Sequence, residues 1–82
     1  MRATVVVRPK PGILDPQGEA VERSLRQLGF PVGEARVGRV VDVEVAARDQ
    51  AQARAQVEAM CERLLANPLI ESYEIELETD AA

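Results

Sequence analysis

Cys61 is the one thiol in the chain, and no histidine accompanies it. A nucleophilic cysteine needs a neighbouring base or cation to hold it as the thiolate. Cys61 falls instead on an apolar stripe, Val57, Met60, Cys61, Leu64 and Leu65, where burial raises a thiol's pKa, so it reads as a core thiol. Zinc sites of the Cys/His kind fail for want of ligands. The acidic run Glu71, Glu74, Glu76 and Glu78 supplies the oxygen ligands that hard cations prefer. Alternate strand positions, however, line carboxylates up in a row about 6.6 Å apart, which suits a solvated face or arginine pairing better than a cage. Lys10 ahead of a helix start at Asp15-Pro16 has the parts of an anion site, but the carboxylate at the cap position competes with any phosphate. Nucleophile, general acid–base pair and metal are all missing from this inventory. The chain is expected to have no catalytic, cofactor-binding or metal-ligating residues of its own.

Two segments carry more than a connector needs. The first runs from Pro9-Lys10-Pro11-Gly12 to Asp15-Pro16-Gln17-Gly18. Ordinary capping accounts for Asp15 and Pro16. It does not account for Gln17 or Gly18, and a glycine so near a helix start costs about 1 kcal/mol against alanine; close backbone approach is the expected reason. The second is Arg36-Val37-Gly38-Arg39, in which Arg39 interrupts an apolar face. An arginine there either snorkels to water from a strand end or meets a partner.

The elements around these segments follow from periodicity. Ala3, Val5 and Val7 alternate with Arg2, Thr4, Val6 and Arg8, which predicts a strand, ended by the two prolines that follow. A helix is expected from Pro16 to Leu28, with Val21, Leu25 and Leu28 as its stripe, Gly29 as the left-handed residue after it, and Phe30 folding back on Leu25. From Ala35 to Val45 one alternation continues through Val37, Val41, Val43 and Val45. A two-residue hairpin at Gly38-Arg39 would scramble its faces, leaving a three-residue turn or one strand bent at Gly38. Asp49 with Gln52 opens a second helix, which ends at Asn67-Pro68. The last strand, Leu69 to Glu78, sets Tyr73, Ile75 and Leu77 against Ser72, Glu74, Glu76 and Glu78.

Each element has one apolar side. The economical architecture is an α+β two-layer sandwich of order β-α-β(β)-α-β, with both helices on one face of an antiparallel sheet in a ferredoxin-like arrangement. First and last strands are then antiparallel neighbours, which puts Arg2 and Arg8 on the same face as Glu74, Glu76 and Glu78.

At 82 residues the chain is expected to form a single domain, 1–82, that buries only about 60–65% of its unfolded surface. A lone cysteine rules out an internal disulfide, so self-association is the expected staple. Net charge is −4 and the aromatic residues are Phe30 and Tyr73 alone, which opposes nucleic-acid binding. The N-terminus lacks the apolar core of a signal peptide, no run approaches the length of a membrane span, and a cytoplasmic location is expected.

Pro9-Lys10, Ile13-Leu14-Asp15-Pro16-Gln17-Gly18, Leu28-Gly29-Phe30, Arg36-Val37-Gly38-Arg39, Met60-Cys61-Glu62 and Leu64-Leu65-Ala66-Asn67-Pro68-Leu69-Ile70-Glu71 resemble, in order, the pattern of the PurS family. Members of that family commonly carry Lys where this chain has Arg39, an exchange that keeps charge and alters donor geometry. The resemblance implies an accessory subunit of phosphoribosylformylglycinamidine (FGAM) synthase in purine biosynthesis, where formylglycinamide ribonucleotide, ATP and glutamine give the amidine. It implies a homodimer, or a dimer of dimers, bridging the synthetase PurL and the glutaminase PurQ and aiding ammonia transfer. ATP and Mg would be used by the partner, with no cofactor on this chain. It implies further that Lys10, Asp15, Gln17, Gly18, Arg36, Gly38, Arg39 and Asn67 include the self-association or partner contacts. The alternative is a ferredoxin-like regulatory module binding a small ligand between protomers.

Overall fold

In the computed structural model, which describes residues 1–78, the β-branched run near the N-terminus forms β1 (Arg2–Pro9). After it come α1 (Pro16–Gln27), β2 (Arg39–Glu44), α2 (Gln50–Met60), one π-helical turn over Cys61–Leu65, and β3 (Glu71–Glu78). The three strands make an antiparallel sheet in the order β2-β1-β3, with Val5 opposite both Val41 and Ile75. First and last strands are thus antiparallel neighbours, as the ferredoxin-like topology predicts.

Strand phase builds the core. Ala3, Val5 and Val7 of the central strand are fully buried, flanked by half-buried Val41, Val43, Tyr73, Ile75 and Leu77, and Val57 of α2 with Cys61 of the π turn packs against them. The expected α2 stripe holds for all but Leu64, which is 83% exposed. Ala66 donates to the Cys61 carbonyl across five residues at 3.1 Å. This wider turn rotates Leu64 off the face that a regular α-helix would keep against the sheet. Tyr73 donates to Glu62 at 2.8 Å, tying β3 to that turn, and its hydroxyl is pushed up to about 12 by the carboxylate.

Arg2, Thr4, Val6 and Arg8 face the opposite way, with Glu78, Glu76 and Glu74 across from the first three. Arg8 and Glu74 pair at 3.6 Å and Thr4 donates to Asp42 at 2.7 Å. Such exposed contacts contribute about 0.2–1 kcal/mol each.

Residues 35–45 contain no hairpin: β2 begins at Arg39, opposite Val7, and the chain before it is irregular. Gly38 sits against β1 so closely that a Cβ there would lie 2.2 Å from the Val7 carbonyl oxygen. The glycine therefore marks where the incoming chain is pressed onto the central strand.

The α+β class, the antiparallel sheet and the two helices are as expected; the packing of α1 is not. α1 ends as predicted, in a Schellman motif: Gly29 at φ 95°, Phe30 donating to the Leu25 carbonyl and Gly29 to the Arg26 carbonyl, both at 3.0 Å. But the one buried residue in the helix is Gly18, and Val21, Leu28 and Phe30 are 42%, 73% and 55% exposed. The reason is local anchoring. Asp15 and Gly18 hold the first turn of α1 to residues 35–37, and Arg26 donates to the carbonyls of Val32 and Gly33, so α1 runs alongside the returning chain instead of lying on the sheet. The radius of gyration is accordingly 16.1 Å, against about 12 Å for a compact chain of this length.

Candidate functional site

The two over-furnished segments converge at one end of the sheet, where β1 finishes and α1, β2 and β3 begin. The Asp15 carboxylate caps α1 through the Gly18 amide at 3.0 Å and also accepts from the Val37 amide at 2.9 Å. Gly18 is what lets the segment before β2 approach, since a Cβ there would fall 2.4 Å from the Ala35 carbonyl oxygen. The amides of Val37 and then Gly18 hold Asp15 below its ordinary value of 3.8. A carboxyl lowered in the folded state contributes stability that is present above its unfolded pKa and lost as pH falls through the folded one. Asp15→Asn should therefore cost stability at pH 7, and the deficit relative to the unsubstituted chain should shrink as pH drops below about 4. Denaturant melts at pH 7 and pH 3 check this; an equal deficit at both would refute it.

A second knot joins the strand starts. Arg39 grips Glu71 through both carboxylate oxygens, at 2.6 and 3.1 Å, and donates to the Leu65 carbonyl exposed by the π turn. Glu71 also accepts from the Asn67 amide at 2.7 Å, and the Asn67 side chain accepts from the Leu69 amide at 3.2 Å. The pairing raises Arg39 and lowers Glu71 from their ordinary values. Lys10 donates to the Pro68 carbonyl at 2.6 Å and Arg36 to the Pro9 carbonyl. Of the eight residues picked out by sequence, Lys10, Asp15, Gly18, Arg36, Gly38, Arg39 and Asn67 thus tie elements of this chain together. Gln17 alone is exposed and makes no side-chain hydrogen bond, on the wall of a hollow of about 220 Å³ that Ile13, Leu14, Arg39, Ile70 and Glu71 also line.

Glu71 is the residue that sequence reasoning misses as a contact: it stands in the acidic row and in the segment that carries the family resemblance, but not among the eight residues picked out. The signal was its phase. It leads the alternation Glu71, Tyr73, Ile75, Leu77, as Arg39 leads Arg39, Val41, Val43, Val45, so opposite charges open two strands on the same buried face. Cys61 is buried, and desolvation pushes its thiol up, with Glu62 and Glu58 adding to the shift. No group of acidic or cysteine side chains among the described residues is arranged to hold a metal ion. No helix among them is long and apolar enough to cross a membrane. What the geometry provides is a polar, hydrogen-bonded end of the sheet beside exposed Ile13, Leu14, Leu69 and Ile70.

The protein-family description "PurS: Phosphoribosylformylglycinamidine (FGAM) synthase" matches residues 2–79. The phosphoribosylformylglycinamidine synthase subunit PurS of Methanocaldococcus jannaschii is 38% identical over 78 residues, which is 94% of each chain. That of Archaeoglobus fulgidus is 41% identical over 76 residues, 92% of this chain and 95% of its own. Among solved structures, a chain of PurLQS from Thermotoga maritima superposes with a TM-score of 0.83 at 37% identity, covering 92% of this chain and 93% of that one.

Proposed function

The chain belongs to the PurS family, and from that premise we propose that it bridges PurL and PurQ as a homodimer within FGAM synthase and helps pass ammonia between them. It is an accessory subunit of that enzyme, in purine biosynthesis. The observation that carries this is the full-length likeness to a chain found in PurLQS. The small-ligand regulatory module is not favoured. ATP and Mg are handled by the partner, this chain binds no cofactor, and the complex works in the cytoplasm.

Homodimer formation is supported by how little this chain buries alone. Its largest fully buried side chains are Val5, Val7, Val57 and Cys61, while Leu14, Leu28, Phe30, Leu64 and Leu69 are all more than half exposed. A core of valines and alanines is thin for a chain this short. The α1 stripe of one copy can cover the half-buried Val41 and Val43 of another. Gln17 and the exposed apolar residues beside it then serve the larger partners.

Reconstitution tests the reading. FGAM formation by purified PurL and PurQ should depend on this chain when glutamine is the nitrogen donor and be far less dependent when ammonia is supplied directly. Full glutamine-dependent activity without the chain would end it.

A further inference from the structure

At the β1–β2 corner Arg8, on the solvent face of the sheet, comes beside Arg36 and Arg39, which also hold the Pro9 carbonyl and Glu71. Beside β1 and β2 lies a hollow of about 430 Å³ with Val6, Pro9 and Val40 as an apolar floor and Arg8, Arg36 and Arg39 around it. On a chain of net charge −4 this is a local reversal of sign. Arg39 is matched by Glu71 at 2.6 Å, but Arg8 meets Glu74 only at 3.6 Å and Arg36 meets Glu34 only at 3.9 Å, with both glutamates largely exposed. Val40 is 61% exposed among these charges, where it adds little buried apolar area to the isolated fold.

We infer that this hollow receives a segment of a partner subunit that presents a carboxylate beside an apolar side chain, the carboxylate lying against Arg8 and Arg36 and the apolar group on Val40. The inference rests on the accessory-subunit reading. A protein segment fits better than a free anion because the Arg8 and Arg36 side chains are 59% and 34% exposed. A small anion would leave them hydrated and screened. A protein surface closing over them excludes water, strengthens the pairing and lets a guanidinium engage both carboxylate oxygens.

The test uses the chain with its PurL and PurQ partners, measuring the dissociation constant for assembly at low and high salt. Arg8 contributes only an exposed pair with Glu74 and Val40 is 61% exposed, so Arg8→Glu and Val40→Asp should lower the thermal midpoint by no more than several degrees while weakening assembly by at least about tenfold. Glu74→Gln removes the carboxylate that competes for Arg8 and should tighten assembly, most at low salt. Normal assembly by both weakening variants overturns the inference alone; failure of the unsubstituted chain to assemble overturns the accessory-subunit reading and the inference with it. If Arg8→Glu instead abolishes self-association of the isolated chain, the occupant is a second copy. If millimolar inorganic phosphate raises the midpoint of the isolated chain and Arg8→Glu removes that shift, the occupant is a free anion. Either result also overturns the inference.

Discussion

Gly38→Ala is expected to lower the thermal midpoint sharply, while Gly33→Ala, at a position with nothing within 4 Å of a Cβ, leaves it unchanged or slightly raised. The contrast comes from what each methyl group would meet. At Gly38 the neighbours are the carbonyl oxygen and carbon of Val7, at 2.2 and 3.3 Å, and the Arg8 Cα at 3.4 Å. These are backbone atoms of the central strand, paired on both edges, so no side-chain rotation relieves the overlap. Relief requires moving the start of β2 away from β1, which loosens the pairing of Val7 with Arg39 and the grip of Arg39 on Glu71. Forced overpacking of this sort costs about 1–3 kcal/mol, and each kcal/mol is worth roughly 4–8 °C in a domain of this size. Calorimetry of both variants at one protein concentration decides it, since the proposed self-association would make the midpoint concentration-dependent. Equal midpoints for the two would show that the β1–β2 corner yields easily.

That corner also shows where sequence reasoning succeeds and where it stops. Alternation in Ala3-Val5-Val7 and in Tyr73-Ile75-Leu77 specified the buried face, because a half-covered strand exposes every second residue and a slip of one reverses both faces. The α1 caps were equally legible, Asp15 at one end and Gly29 at the other, since each satisfies orphan backbone groups within a few residues. Gly18 could be flagged as unexplained but not explained. The atom it makes room for, the Ala35 carbonyl oxygen, lies on a segment far along the chain, and nothing local encodes that approach. Leu64 was placed in the core because a 3.6-residue period was carried through a turn that the structure winds more widely. The largest difference, α1 standing off the sheet, has the same origin: periodicity reports that a helix has an apolar stripe, not what the stripe meets.

The unmet stripe makes the second prediction. Leu28→Asp, and separately Val21→Asp, should convert the proposed homodimer into a monomer. Leu28 is 73% exposed in the single chain and Val21 42%, so neither carboxylate need be buried in an isolated protomer, and the helical signal per residue should persist at concentrations where the monomer remains folded. In a two-fold pair the change is felt twice. Burying a leucine is worth about 1.5–3 kcal/mol, and a charge in its place must be desolvated without a partner. Two copies of the change thus amount to at least about 4 kcal/mol, or roughly a thousandfold in dissociation constant. Sedimentation equilibrium across a range of concentrations reads this directly. Because neither Val21 nor Leu28 is among the residues that knot the end of the sheet, glutamine-dependent FGAM formation separates two roles. Loss of activity along with the dimer means that the partners require the pair, whereas retained activity means that one protomer suffices to bridge them. Dimers that survive both substitutions would mean that a surface other than the α1 stripe forms the seam.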